Sequence, residues 1–174
     1  MSLAQIGRVE AGITRIATRV PGLPVTEAVI LRTLTLLGRD LVAHMDQYLR
    51  PHGLSEVEFR TLSILFAHGE LPVCPSDLCS HLAQSPANMT RVADALVQAG
   101  LITRNPSEQD RRRLMLQLTD AGVALMQRLL PQMSEFMRGL FAAVPATQQQ
   151  RLLADLESLV AALDTQATAP GVVS

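Results

Sequence analysis

The chain has 174 residues, 48% of them apolar and 18% charged, with a net charge of −1. That length suits one domain, or one domain plus an oligomerisation element, and the apolar fraction excludes a disordered chain. No apolar run reaches the ~18 residues of a membrane span, residues 1–20 lack the apolar block of a signal peptide, and two cysteines give no disulfide framework, so a soluble cytoplasmic protein is expected.

Ile6, Val9, Ile13, Ile16 and Val20 follow a three-four spacing, which predicts an amphipathic helix with a narrow seam, ended by Pro21-Gly22-Leu23-Pro24. A second helix is expected over about residues 26–49, with Ile30, Leu34, Leu37, Leu41, Met45 and Tyr48 as its apolar stripe. Pro51-His52-Gly53 breaks it. Ser55 and Glu58 then fit a capping box, opening a helix that turns Phe59, Leu62, Leu65 and Phe66 inward and stops near Gly69.

Pro72-Val73-Cys74-Pro75 is expected to be short and extended, with a helix beginning at Ser76 and carrying Leu78, Cys79 and Leu82. Ala83-Gln84 turns the chain. Ser85 is a good N-cap and Pro86 suits the first helical position. The helix they open should bury Met89, Val92, Ala93, Leu96 and Val97 and end at a left-handed Gly100. Two helices joined by so short a turn make a helix-turn-helix pattern.

A hairpin follows, with strands at residues 101–104 and 114–118. Thr119 should cap a long helix through Val144 that contains Pro131. Pro145 separates it from a last helix with a Thr147–Gln150 capping box and a stripe of Leu152, Leu156, Leu159, Val160 and Leu163. A frayed tail is expected from Thr165. The fold class is therefore mainly α with a small β-hairpin.

The basic residues are all arginine, so any phosphate or base contact by a basic side chain uses the planar guanidinium fork. Residues 84–113 hold five Arg against three acids, whereas residues 114–174 hold three Arg against five, so positive charge gathers at the hairpin. Opposite Met89 on the helix lie Ala87, Arg91 and Gln98, flanked by Asn88, Asp94 and Ala95. Small residues there suit seating in a major groove. Asn88 suits adenine and Arg91 suits guanine, while Ser76, Ser85 and Thr90 suit phosphate or base-edge contacts. In the hairpin, Arg112 is the candidate for entering a minor groove, braced by Asp110, with Arg104, Arg111 and Arg113 on phosphates. The bland alternative for a lone helix or charge run is a solvated face.

Gly53-Leu54-Ser55, the helix of residues 85–100, Asp110-Arg111-Arg112, and Leu118-Thr119 with Gly122 together resemble the MarR family of winged helix-turn-helix regulators. Pro75-Ser76-Asp77-Leu78, Thr90-Arg91-Val92-Ala93-Asp94 and Gln109-Asp110-Arg111-Arg112 look most like a branch that represses a multidrug efflux pump. Arg113 departs from the small or neutral residue common there. The resemblance implies a homodimer on a pseudo-palindromic double-stranded operator, with recognition helices about 34 Å apart. It implies an N-terminal part of a dimerisation region at residues 1–54, a winged DNA-binding domain at 55–120, C-terminal dimerisation helices at 121–165 and a flexible tail at 166–174. Release by small aromatic or weakly acidic effectors is also implied, in a cleft between the dimer core and the DNA-binding lobe. His44, Tyr48, His52, Phe59 and Phe66 fall on helices expected to wall it, and plain core packing is their alternative.

No phosphate-cradling Gly loop, His-Glu-x-x-His or nucleophile elbow is present, so neither an enzyme nor a cofactor is expected. Cys74, Cys79, His68 and His81 do not match a zinc spacing. A thiol-based redox regulator on the same fold is the competing reading. In it Cys79 is expected inward and inert, and Cys74 exposed.

Overall fold

The computed structural model describes residues 2–106 and 113–168. In chain order it contains α1 (Leu3–Ala17), α2 (Val25–Leu49), a single 3-10 turn (Arg50–His52), α3 (Glu56–His68), α4 (Pro75–Leu82), α5 (Pro86–Gln98), β1 (Ile102–Pro106), β2 (Leu114–Leu118), α6 (Asp120–Phe141) and α7 (Ala146–Thr168). The chain divides into two compact units, Met1–Val123 and Ala124–Ser174.

In the first unit, α1 starts at Ser2, whose hydroxyl accepts from the Gln5 amide at 3.3 Å. The helix ends at Ala17, so Val20 lies beyond it rather than on its seam, and Ile16 is exposed. α2 departs further from expectation. It buries Leu36 and Leu49, while Ile30, Leu37 and Leu41 of the predicted stripe are exposed together with Leu31 and Val42. Helical spacing marks an apolar stripe but does not say which of its residues the fold buries.

The start of α3 follows its sequence signal. The Ser55 hydroxyl receives the Glu58 amide, and the Glu58 carboxylate receives the Ser55 amide at 2.7 Å, closing both halves of the capping box. Asp46 of α2 accepts from the Glu56 amide at 2.6 Å, which ties the end of α2 to the first turn of α3. Around this frame the core of the unit is close to fully buried at Leu49, Leu62, Leu65, Leu78, Met89, Leu96, Ile102 and Leu116. Each such side chain contributes about 1.5–3 kcal/mol by leaving water.

β1 and β2 pair antiparallel, from Ile102 opposite Leu118 to Pro106 opposite Leu114. Val73 adds an isolated bridge to Leu116, with reciprocal N–H···O bonds of 2.9 and 2.8 Å. The segment leading into α4 is thus stitched to the second hairpin strand. At the hairpin base, the Thr119 hydroxyl donates to the Gly100 carbonyl at 2.7 Å and accepts from the Gly122 amide at 3.0 Å. A Cβ on Gly122 would collide with the Leu101 carbonyl, so only glycine permits this approach.

In the second unit, α6 continues through Pro131 and stops at Phe141, short of Val144. Proline removes the amide that would serve the Gln127 carbonyl, and Gln127 is exposed, so water can serve it. α7 begins at Ala146, one residue ahead of Thr147. The amides of Gln148 and Gln149 both reach the Pro145 carbonyl, and the Gln149 side chain donates to Val144. The expected Thr147–Gln150 capping box therefore does not form. Thr165 is inside the helix, its hydroxyl on the Ala161 carbonyl at 2.9 Å, so no frayed tail begins there. Leu152, Leu153, Leu159, Val160 and Leu163 of α7 are exposed.

Candidate nucleic-acid interface

Two local devices aim α5. Ser85 takes the N-cap, its hydroxyl accepting from the Asn88 amide at 3.2 Å, with Pro86 at the first helical position. Ahead of it, α4 closes on Ala83 in the left-handed region (φ 50°), the one non-glycine residue with positive φ among the described residues. α4 itself opens at Pro75 with Cys74 as N-cap, one residue earlier than expected.

The buried face of α5 is Met89, Val92, Ala93 and Leu96. Val97, expected inside, is 40% exposed, because it lies on the flank of that face in the last turn. The burial of Met89 turns Ala87, Arg91 and Gln98 outward, with Asp94 also exposed and Asn88 and Ala95 half-buried.

The outward side chains form a chain of hydrogen bonds. The Asn88 amide nitrogen donates to Gln84 Oε1, and Asn88 Oδ1 accepts from Arg91 Nη2 at 2.8 Å. Gln84 in turn donates to the Leu82 carbonyl at 3.2 Å. Asn88 is thereby engaged on both sides of its amide. The Thr90 hydroxyl donates to the Pro86 carbonyl at 3.0 Å, within its own helix. Its proton is thus engaged, and only its oxygen is left to accept. The exposed Ser85 hydroxyl accepts as the cap of α5.

On the hairpin, Arg104 does not point freely outward. Its Nη2 meets Asp94 Oδ1 at 2.8 Å, and its Nε is buried with no hydrogen-bond partner among the described residues. The Arg104 guanidinium is held on α5 because the chain turns back after Gly100, with the Leu101 amide on the Leu96 carbonyl at 3.0 Å, and runs β1 beside that helix. Arg113 is exposed at the entry to β2. Asp110, Arg111 and Arg112 lie outside the described residues.

Cys74 and Cys79 reverse their expected roles. Cys74 is buried, because Val73 beside it pairs with Leu116, and Cys79 is half-exposed. The Ser76 hydroxyl donates to Cys74 Sγ at 3.0 Å and also approaches Asp77 Oδ1 at 3.4 Å, so Ser76 too is engaged within the fold. That hydroxyl holds the Cys74 thiol below its ordinary range. Burial opposes the effect, and the Arg113 guanidinium adds to it.

Of the candidate effector residues, Tyr48 and His52 come together, with ring centroids 6.4 Å apart. His44 is exposed and Phe66 half-buried. Phe59 is 8% exposed and packs in the core. No group of three or more His, Cys, Asp or Glu suited to a metal occurs among the described residues. No helix among them is long and apolar enough to cross a membrane.

Sequence reasoning passed over two members of this surface. Gln84 was only a turn residue, because a left-handed alanine is rarely foreseen and it is this turn that delivers Gln84 to Asn88. Asp94 reads from sequence only as a flank of α5, because its partner Arg104 comes from the strand that folds back after Gly100, which spacing along the helix does not reveal.

The sequence model of the MarR family matches residues 54–114, which span α3, α4, α5, β1 and the start of β2. The transcriptional repressor MprA of Escherichia coli K12 is 31% identical over 157 residues, covering 90% of this chain and 89% of that protein. Among solved structures, S. aureus MepR in complex with DNA aligns with a TM-score of 0.67 at 20% identity, over 75% of this chain and 94% of that one. The C80S mutant of E. coli MarR complexed with operator DNA has a TM-score of 0.67 at 21% identity, over 74% and 91%. The helix-turn-helix, the hairpin stitched to it and a similarity that runs nearly the whole length of MprA agree: the chain belongs to the MarR family, with a winged-helix fold.

Proposed function

We propose that this chain is an effector-responsive transcriptional repressor, acting in the cytoplasm as a homodimer on a pseudo-palindromic operator and controlling multidrug efflux or the response to aromatic compounds. The observation that carries the reading is the outward face of α5, where Arg91 stands exposed opposite a fully buried Met89. Arg91 presents a fork suited to guanine, and Arg111 and Arg113 of the wing add phosphate contacts. MprA, a named repressor similar over most of both chains, supports repression, and the DNA in the MepR and MarR crystals supports duplex binding by this fold.

The homodimer rests on exposed apolar side chains at both ends of the chain: Ile16 of α1, Leu31 of α2, and Leu153 and Leu163 of α7. Residues 1–54 and 121–165 form the dimerisation region in this reading, and residues 55–120 bind DNA. Tyr48 and His52 offer a phenol and an imidazole to an aromatic or weakly acidic effector, with His44 and Phe66 as further candidates. Such an effector alters DNA affinity only by preferring one arrangement of the chain, typically by ~1–3 kcal/mol.

Mobility-shift assays with the promoter fragments flanking the gene test the reading, repeated with a panel of efflux substrates. Specific retardation by a dimer, released by one or more aromatic acids, is the expected outcome. A chain that is monomeric at micromolar concentration and binds all fragments equally would contradict it.

A second reading, thiol-based regulation, is favoured by the Ser76–Cys74 hydrogen bond and the depressed thiol. It requires Cys74→Ser to abolish release of DNA by peroxide. Unchanged release in that variant would remove it.

A further inference from the structure

Resting on the DNA-binding reading above, we infer that Gln84, which lies outside α5, is a positioning residue for base recognition: through Asn88 it sets the orientation of Arg91. Asn88 is the brace in this arrangement. The chain Gln84–Asn88–Arg91 is continuous, with the Asn88 amide nitrogen on Gln84 Oε1 and the Arg91 Nη2 on Asn88 Oδ1 at 2.8 Å. Its root is fixed in the backbone. Gln84 Nε2 holds the Leu82 carbonyl at 3.2 Å, and the Gln84 amide holds the Cys79 carbonyl at 3.0 Å. The left-handed Ala83 makes this geometry by ending α4 and opening the three-residue turn, Ala83 to Ser85, that leads into α5. Asn88 gives one amide hydrogen to Gln84 and one carbonyl lone pair to Arg91, and the two bonds together fix the plane of its amide.

Arg91 loses little by being held. One Nη2 hydrogen goes to Asn88, which leaves a complete two-donor edge of the guanidinium for the N7 and O6 of a guanine. A long side chain fixed before binding gives up less rotamer freedom on contact, so the brace strengthens discrimination rather than contact number. The arrangement needs glutamine at the turn, asparagine three residues into α5 and arginine three further on.

The test is selection of duplexes from a random pool by the full-length chain, followed by affinities for the selected duplex and for its single-base variants. Arg91→Ala should lose ~5–150-fold discrimination at one guanine. Gln84→Ala and Asn88→Ala should lose at least about threefold at that same guanine, with the salt dependence unchanged. Gln84→Glu keeps the acceptor for Asn88 but loses the donor to Leu82, so it should retain more of the guanine preference than Gln84→Ala even as total affinity falls. Thermal melts of each variant identify loss of fold. If Gln84→Ala misfolds, Gln84→Glu against Asn88→Ala still decides the matter. Full discrimination in Asn88→Ala, or loss at an A·T pair instead of the guanine, would overturn the inference while leaving DNA binding intact. A wild-type chain that enriches no sequence would overturn the DNA-binding reading itself, and the inference with it.

Discussion

Arg104 on the first wing strand and Asp94 on α5 meet at 2.8 Å, joining the hairpin to the helix that faces DNA in the proposed function. The pair is partly exposed, with side-chain exposures of 26% for Arg104 and 59% for Asp94, so it stabilises the fold only by about 0.2–1 kcal/mol. Its consequence is orientation. Arg104→Ala is expected to lower operator affinity by removing the brace, without altering the salt slope. Loss of a direct phosphate contact would instead make the log–log slope shallower by about 0.9. Fluorescence anisotropy across a salt series separates the two, and a slope change of that size would make Arg104 a phosphate ligand after all.

Gly122→Ala places a methyl group against the Leu101 carbonyl. Neither partner is a flexible side-chain end, so the base of the wing must shift. The expected loss is about 1–3 kcal/mol, read as a lower denaturation midpoint in a urea titration. A wild-type midpoint would show that the approach of α6 to the wing is looser than described.

Cys74 provides a pH-dependent readout of the junction between α4 and the wing. Its thiol is lowered first by the Ser76 hydroxyl, against burial, with help from Arg113. For an acid depressed in the fold, the stabilisation is present in full above the unfolded value and fades as pH falls through the folded value. In a Cys79→Ser background, alkylation of Cys74 should reach half its maximal rate below the pH found for free cysteine. Ser76→Ala should move that midpoint upward. A midpoint at or above the free value, or one indifferent to Ser76→Ala, would contradict the assignment.

What the residues disclosed in advance was mostly local. Ser55 with Glu58, Ser85 with Pro86, and Gly100 each fix a boundary through bonds made within a few positions, and each lies where its chemistry places it. The α7 start was misplaced because Thr147 and Gln150 have the spacing of a capping box, yet the Pro145 carbonyl captures the first amides instead. The α2 stripe was legible as apolar but not as exposed, since periodicity is silent about which chain covers it. The polar surface divided the same way. Arg91 follows from the helix period, whereas the Gln84 and Asp94 contacts depend on a left-handed alanine and on the return of β1 along α5. The wing residues Asp110, Arg111 and Arg112 remain expectations from sequence.

The central claim is that the outward face of α5, led by Arg91, reads duplex DNA. The most direct measurement is the affinity of wild type and Arg91→Ala for one operator duplex and for a scrambled duplex, at two or more salt concentrations. The wild-type chain should prefer the operator, with affinity falling linearly in log salt at about −0.9 per phosphate contacted. Arg91→Ala should lose roughly 5–150-fold of that preference while binding the scrambled duplex with much the same affinity as wild type. Equal preference in the two proteins would contradict the account.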